Sequence, residues 1–289
     1  MRMFDLQGHR GARGLFPENT LEGFLAAARL GVGCFELDVG MTADNVVVVT
    51  HDLALNRDLA RDPAGNWPDE TGPLVHALTL EQLRHFDVGR IHPHTRYARL
   101  YPDQSPIDGA RIPTLEAVLS ALPTMRFNIE LKTDPTRLAA TVPPDVMADA
   151  VLAVVDAAEA ADRVMIESFD WRGPRHVRRV RPEIVTAWLT SPETVANAAL
   201  WWDGPRPEDF AGSVPRAVRA ETGAHWAPAH ASLTEAEVAE ARGLNLGVLP
   251  WTVNCPADMR RLIGWGVDGL ITDRPDLAML VLRDHGAGA

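Results

Sequence analysis

Short runs rich in β-branched and aromatic residues alternate with longer stretches whose apolar residues recur at helical spacing. This alternation predicts successive βα units around a parallel sheet. Eight strands are predicted, at residues 3–9, 34–39, 46–51, 126–131, 164–169, 183–189, 246–253 and 268–273. Eight such units favour an α/β fold of the (β/α)8 TIM-barrel type, with a doubly wound open sheet as the alternative.

Three regions depart from a regular barrel pattern. Only residues 40–45 separate the second and third strands, which is too short for a crossover helix, so this unit must be degenerate or form a hairpin. A ninth, weaker strand pattern stands at residues 224–230. Residues 53–112 are rich in Pro, Asp and Arg and contain one helical pattern, "TLEQLRHF". We interpret them as an insertion after the third strand, or lid, within one catalytic barrel domain spanning residues 1–289.

Composition and charge narrow the class of protein. With 46 % hydrophobic residues in 289, the chain can bury a large core. A formal net charge of -11 provides no overall positive field for nucleic acid. Apolar runs are shorter than a membrane span and no signal peptide is apparent, so we expect no stable membrane insertion and a cytoplasmic location, or a periplasmic or secreted one if a leader was removed. Cys34 and Cys255 show no metal-site spacing, and the oligomeric state stays open.

Ionisable residues recur at alternate positions near the ends of the first four predicted strands. Glu36 and Asp38 share one strand face, Glu130 and Lys132 share another, and two histidines end the first and third strands. Three carboxylates aimed at one spot would repel each other unless a cation lay between them. All-oxygen ligation favours one divalent ion, Mg²⁺ or Ca²⁺, with Mn²⁺ also acceptable. Salt bridges inside the barrel are the alternative explanation.

The stretch "GHRGARGLFPENT" follows the first strand and has features of a phosphate-binding loop. His9 ends the strand, Arg10 offers a planar fork suited to phosphate oxygens, and two glycines permit close approach of the backbone. Asn19 is predicted to be the N-cap of the next helix, with Glu22 completing a capping box, although Glu18 and Asn19 lie where they could also line a pocket. A second capping box is predicted at Ser232 and Glu235.

Five motifs, "HRGARGLFPENT", "ELDVGMTADNVVVVTHD", "IELK", "PWTVN" and "GVDGLITDRPD", together resemble the glycerophosphodiester phosphodiesterase family, relatives of the phosphatidylinositol-specific phospholipases C. The resemblance extends from about residue 4 to residue 280. It implies a TIM-type barrel with an insertion after the third strand, and cleavage of a small glycerophosphodiester to glycerol 3-phosphate and an alcohol. The motif positions imply the following roles: His9 and His51 as the acid/base pair, Glu36, Asp38 and Glu130 as metal ligands, Arg10 and Lys132 as phosphate contacts, and Trp251 as an apolar wall.

The chain departs from the family pattern inside the insertion, where "NRDLARDPAGNWPDETGP" replaces the usual Gly-rich run. Substrate choice therefore stays open, and a lysophospholipase D-like phosphodiesterase or a non-catalytic phosphate-binding barrel are the alternatives. The nucleophile is also open between water and a neighbouring glycerol hydroxyl. Other conspicuous residues are expected outside the chemistry: His92 and His94 are not expected to be ligands, Trp201 and Trp202 are expected to supply apolar bulk, and Asp273 is expected to fix a loop or orient a partner.

Overall fold

The computed structural model describes residues 4–221 and 224–285. Within these ranges the strands are β1 Asp5–His9, β2 Cys34–Met41, β3 Val47–Val49, β4 Arg126–Leu131, β5 Val164–Ser168, β6 Val185–Thr190, β7 His225–Pro228, β8 Gly247–Val248 and β9 Gly269–Thr272. The helices are α1 Leu21–Arg29, α2 Leu80–Leu83, α3 Arg96–Leu100, α4 Leu115–Ala121, α5 Pro144–Ala157, α6 Arg172–Val180, α7 Pro192–Ala196, α8 Ala198–Trp201, α9 Val214–Ala220, α10 Glu235–Gly243, α11 Pro256–Trp265 and α12 Pro275–Asp284.

Eight strands form a parallel sheet in the order β8-β7-β6-β5-β4-β2-β1-β9. The chain after β8 approaches β9, where the amide of Ile271 donates to the carbonyl of Pro250 at 3.0 Å and that of Val253 donates to the carbonyl of Ile271 at 2.9 Å. These bonds nearly close the sheet into a barrel surrounded by helices. The predicted (β/α)8 TIM-type fold is thereby confirmed, and the open doubly wound sheet is excluded.

The third predicted strand does not belong to the barrel. β3 pairs antiparallel with β2, with Val49 opposite Val39, so the short unit is a hairpin. β3 is buried on both faces: Val47 and Val49 pack into the main core, while Val48 packs against the insertion. Its sequence is therefore as apolar as that of a barrel strand, which is why it was predicted to be one. The eighth barrel position belongs instead to β7, which arises from the weaker pattern at 224–230.

Both predicted capping boxes were wrong in position. The cap of α1 is Thr20, whose hydroxyl accepts a hydrogen bond from the amide of Gly23 at 3.0 Å. Asn19 has φ of 52°, which is incompatible with the extended backbone of an N-cap. The cap of α10 is Thr234, paired with Glu237, because the chain first makes a 3-10 turn at His230–Ser232.

Two buried hydrophobic clusters pack the strands of the barrel against the surrounding helices, each over a different part of its circumference. One contains Phe35, which packs against Phe24 and Phe127 with ring centroids 5.4 and 6.2 Å away. The other contains Trp171 and Trp202, stacked 3.9 Å apart and parallel within 1°. Trp202 thus supplies apolar bulk as expected. Close packing of side chains in these two clusters holds the strand ends in fixed positions.

Residues 53–112 carry the short helices α2 and α3, a 3-10 turn at Val75–Ala77, and a small hydrophobic cluster of their own that includes Leu55 and Leu83. The helical pattern at "TLEQLRHF" produces only α2, capped by Thr79. By length and composition alone, the helical stretch Leu138–Ala157 is long enough to cross a membrane. Its α5 portion buries Met147, Val151 and other residues in the core, as core helices of globular domains do.

Candidate active site

Four predicted site residues lie together at the carboxyl end of the barrel. His9 stands in register with Glu36, and Asp38 with Glu130. All four are buried, with Glu36 and Asp38 only 2 % and 1 % exposed. Because adjacent parallel strands present residues in register on the same face, these side chains converge on one spot.

His51 reaches the same rim by a different route from the one the sequence suggested. β2 continues past the end of the barrel, and β3 runs back along it until the amide of Thr50 donates to the carbonyl of Asp38 at 2.9 Å. His51 is the next residue, so the hairpin delivers its side chain to the level of the carboxylates. It lines the same cavity as His9, Glu36 and Glu130.

Glu36, Asp38 and Glu130 each offer a carboxylate oxygen within 4.8 Å of the others. Burial, followed by repulsion from Asp38, raises the pKa of Glu36 well above its usual range, and burial raises the pKa of Glu130 to about 7. Oδ1 of Asp38 is buried without a hydrogen-bond donor in the described part of the chain. A hard divalent cation would satisfy that oxygen and relieve the repulsion, so the three carboxylates fit an all-oxygen metal site.

The two predicted phosphate contacts border this acidic group. Nζ of Lys132 lies 2.8 Å from Oε1 of Glu130 and 3.5 Å from Oδ1 of Asp38. Nε of Arg10 lies 3.2 Å from Oδ2 of Asp38, and its Nη1 donates to Oε1 of Glu18 at 2.7 Å. The backbone of Arg10 is left-handed, with φ of 52°, which lets its amide donate to Oε2 of Glu36 at 3.0 Å. Both cations are therefore held at the edge of the candidate metal site.

His9 is held by a hydrogen-bond network whose members Asp273 and Asn254 lie far from it in the sequence. Its Nδ1 lies 2.6 Å from Oδ1 of Asp273, and Arg13 donates to both oxygens of that carboxylate, at 3.0 and 3.2 Å. Asn254 donates to Oδ2 of Asp273 at 2.7 Å. Burial, followed by the positive charge of Arg13, lowers the pKa of His9 to about 4 despite the opposing effect of Asp273. The imidazole is consequently neutral at neutral pH and able to accept a proton.

His51 is held in the same manner by its neighbour in the chain. Its Nδ1 lies 2.7 Å from Oδ1 of Asp52, whose other oxygen accepts a hydrogen bond from Asn56 at 2.7 Å. Burial, followed by the positive charges of Arg10 and Lys132, lowers the pKa of His51. A bound phosphodiester anion would act in the opposite direction, because negative charge favours the imidazolium.

Asn19 points into the site instead of capping the helix. Its Nδ2 donates to Oδ2 of Asp38 at 2.9 Å, and its left-handed backbone turns the side chain towards the carboxylates. Oδ1 of Asn19 is buried without a hydrogen-bond donor within residues 4–221 and 224–285. Asn19 thus orients one carboxylate of the candidate metal site and keeps one oxygen available.

Two connected cavities meet at the acidic group. The inner one, about 290 Å³, lies between the two histidines and an apolar wall that includes Phe169, Leu189 and Trp251. The outer one, about 420 Å³, extends from His51 along the insertion and the loop after β4. His51, Glu130 and Phe169 line both cavities. Trp251 packs its ring edge-on against Phe169 at 5.4 Å. Trp201 packs against the core cluster that contains Trp202, as expected, and also lines the outer cavity.

Some site residues escaped the sequence analysis. Glu167 on β5 stands in register with Glu130 and lines the inner cavity, and burial followed by repulsion from Glu130 raises its pKa to about 8. Its place in "VMIES" has the same alternation that revealed Glu36 and Asp38, so the signal was present. Arg13 carried no such signal, because its contacts with residue 273 depend on the closure of the barrel.

Three buried carboxylates that could hold a metal ion lie beside two carboxylate-held histidines at the mouth of a TIM-type barrel, an arrangement suited to phosphodiester hydrolysis. The chain matches the glycerophosphoryl diester phosphodiesterase family over residues 9–277. A glycerophosphodiester phosphodiesterase of Caldanaerobacter subterraneus subsp. tengcongensis is 28% identical, over 96% of this chain and 97% of the relative. The uncharacterized protein YqiK of Bacillus subtilis is 30% identical, over 98% and 100% respectively.

Solved structures agree with these sequence matches. A Silicibacter pomeroyi protein provisionally assigned as a glycerophosphoryl diester phosphodiesterase superposes with a TM-score of 0.89 at 37% identity, covering 99% of this chain and 95% of the other. An Oleispira antarctica phosphodiesterase in complex with its product sn-glycerol-3-phosphate shares the fold, with a TM-score of 0.73 at 21% identity and 97% of both chains covered. The chain belongs to the glycerophosphoryl diester phosphodiesterase family and is a phosphoric diester hydrolase.

Proposed function

We propose that this enzyme hydrolyses a glycerophosphodiester to glycerol 3-phosphate and an alcohol, with His9 as general base, His51 as general acid and one divalent ion as cofactor. The observation that carries the proposal is the matched pair of histidines beside three buried carboxylates. Each histidine binds a carboxylate through Nδ1, Asp273 for His9 and Asp52 for His51. Each therefore keeps Nε2 for the reacting groups, as acid-base catalysis requires.

The proton transfers follow from these contacts. Asp273 favours the tautomer of His9 that carries its proton on Nδ1, so Nε2 can take a proton from the nucleophile. A new P–O bond then forms as the bond from phosphorus to the alcohol oxygen breaks. His51, protonated on both ring nitrogens once the substrate anion is bound, donates its Nε2 proton to that leaving oxygen. Arg10 and Lys132 balance the negative charge on the phosphate. The nucleophile is water or the adjacent glycerol hydroxyl, which would act through a cyclic phosphate.

Glu36, Asp38 and Glu130 would hold the divalent ion, which supplies charge neutralisation to the non-bridging phosphate oxygens when bound. Oxygen ligation supports Mg²⁺ or Ca²⁺, with Mn²⁺ as a further possibility. Asn19 supports this site by holding Oδ2 of Asp38, at 2.9 Å, in one orientation. We assign Trp251 to the apolar wall against which the carbon atoms of one ester arm pack.

The two cavities support a diester substrate, because a phosphate at their junction would place one ester arm in each. The outer cavity is lined mainly by polar residues, with Phe169 and Trp201 as its aromatic members. This lining favours a small polar alcohol over the acyl chain of a lysophospholipid. Two tryptophans that could have formed a lipid groove lie elsewhere: Trp67 stacks on His92 at 4.6 Å, and Trp202 is fully buried.

The deciding experiment incubates the purified protein with a panel of glycerophosphodiesters and lysophospholipids, with divalent metal or with EDTA. We expect release of glycerol 3-phosphate from the small diesters only, and only with metal. Release of lysophosphatidate at a higher rate would favour the lysophospholipase D-like alternative. Absence of turnover on every substrate, with phosphate still bound, would favour the non-catalytic barrel. The predicted cytoplasmic location stays a prediction.

A further inference from the structure

The segment of the insertion around α3 lies directly over the loop that follows β1. Nε2 of Gln104 donates to the carbonyl of Arg13 at 2.7 Å, and the amide of Ser105 donates to the carbonyl of Leu15 at 2.9 Å. The guanidinium of Arg13 lies over the ring of Tyr101, 4.7 Å from its centroid. These contacts fix the insertion to the loop that carries Arg10 and directly follows His9.

Tyr97, on α3, hydrogen-bonds two charged residues of the loop after β1. Its hydroxyl donates a hydrogen bond to Oε2 of Glu18 and accepts one from Nη1 of Arg13 at 3.3 Å. Burial, followed by the negative charge of Glu18, raises the pKa of Tyr97 well above its usual value, so the hydroxyl keeps its proton. Its ring is supported by Tyr101, 5.0 Å away between centroids.

The two hydrogen-bond partners of Tyr97 contact different residues of the proposed catalytic site. Oε1 of Glu18 accepts a hydrogen bond from Nη1 of Arg10 at 2.7 Å. The side chain of Arg10 is 9% exposed and that of Glu18 is 8% exposed. Arg13 holds Asp273, which in turn holds His9. Nη2 of Arg13 also lies 3.2 Å from Nδ1 of His9. The Tyr97 hydroxyl is therefore separated by one residue from Arg10, through Glu18, and by one residue from His9, through Arg13.

We propose that Tyr97 is a positioning residue, supplied by the insertion, which acts through Glu18 to fix the guanidinium of Arg10 for the substrate phosphate. The inference rests on the proposed function in one respect, namely that Arg10 contacts phosphate. A carboxylate that loses its donor is free to rotate, and the Arg10 fork then loses its fixed direction. Since bidentate phosphate recognition depends on that direction, phosphate affinity falls. Metal affinity changes much less, because the hydroxyl of Tyr97 bonds to Glu18 and Arg13 and not to the three carboxylates.

The test is calorimetric titration of the metal-loaded Tyr97→Phe variant with inorganic phosphate, which does not require turnover. Because a hydrogen bond to a charged group is worth roughly a factor of ten or more in affinity, we expect the Kd of phosphate to rise about tenfold. The Kd of the divalent metal should stay within about twofold of the wild-type value. Leu100→Ala is the control, because Leu100 lies on the same helix and is 59 % exposed.

A double-mutant cycle with Glu18→Gln separates positioning from a general loosening of the loop. Glu18→Gln should weaken phosphate binding, and adding Tyr97→Phe should weaken it little further, because both changes break one path. An unchanged Kd in folded Tyr97→Phe, or fully multiplicative losses in the cycle, would overturn the proposal. If Tyr97→Phe does not fold, unchanged phosphate binding by Glu18→Gln alone overturns it, and weakened binding supports it. Failure to cleave any glycerophosphodiester would count against the proposed function alone.

Discussion

Replacing Asp273 with asparagine removes the charge that holds His9 while retaining the shape of the side chain. Oδ1 of Asp273 accepts from Nδ1 of His9 at 2.6 Å and from Nε of Arg13 at 3.0 Å. Oδ2 accepts from Nη2 of Arg13 at 3.2 Å and from Asn254 at 2.7 Å. Either orientation of the new amide therefore turns an NH2 group towards donors that previously met an oxygen.

The expected loss depends on which side the amide faces. An NH2 group facing His9 would donate to Nδ1 and move the imidazole proton to Nε2, where it blocks the base. A wrong tautomer of this kind can cost about 10⁴ in kcat, whereas one lost charge-assisted hydrogen bond costs about 1.5–3 kcal/mol, or roughly 10- to 150-fold. We expect kcat/KM to fall by about 10²–10⁴, which is about 2.7–5.4 kcal/mol of transition-state stabilisation.

The assay compares steady-state kcat/KM of wild type and Asp273→Asn on glycerophosphocholine and on bis(p-nitrophenyl) phosphate. Both substrates should suffer alike, since both need a deprotonated nucleophile. Asp276→Asn is the matched control, because Asp276 pairs with Arg274 at 2.8 Å nearby without contacting His9. A folded Asp273→Asn variant with kcat/KM within threefold of wild type would refute the reasoning. A parallel loss of metal affinity would assign the effect to the metal site instead.

Three further predictions concern the metal and the acid. Binding of the divalent ion, measured by calorimetry, should be weaker in each of the variants Glu36→Gln, Asp38→Asn and Glu130→Gln, and EDTA should abolish turnover. Unchanged binding in all three variants would remove the metal-site assignment. The rise in Tm caused by saturating Mg²⁺ should be larger at pH 8 than at pH 5.5, because the pKa of Glu130, raised to about 7, lets protons compete with metal below that pH. In the metal-free protein, protonated Glu130 stabilises the fold fully below its ordinary pKa of 4.5, and this stabilisation is lost as the pH rises from 4.5 to about 7. A rise in Tm with Mg²⁺ that is the same at both pH values would contradict this reasoning. The activity of His51→Ala should fall about 10²–10⁴-fold on an alkyl diester and much less on a p-nitrophenyl diester, whereas His9→Ala should lose activity on both substrates. Equal losses of activity for both variants on both substrates would contradict the division of roles.

The local pattern was sufficient for the barrel and for most of the candidate site. Strand alternation has a period of two, so it showed from the sequence alone that Glu36 and Asp38 share a face. The parallel arrangement then placed the ends of successive strands on one rim, which located Glu130 and His9 beside them. The roles of these residues, the lid role of residues 53–112 and the extent of the domain stay predictions.

Other features depended on contacts between distant parts of the chain. The run at 46–51 has the composition of a barrel strand, but the sequence could not show that it pairs antiparallel with β2, because pairing partners are chosen by the whole sheet. Asn19 looked like a helix cap, since the local pattern contains nothing about the carboxylate of Asp38 that its amide meets. Local preference gave way there to a tertiary hydrogen bond.

The repeating βα units and the residues that face the barrel interior could be predicted from the sequence, because both follow from periodicities within a few residues. The contacts that hold those residues come from packing between distant segments. Asp273 meets His9 across 264 positions of chain, and Tyr97 meets Glu18 across 79. Such contacts form when the barrel closes and the insertion docks, and their energies depend on burial and geometry that no local pattern records.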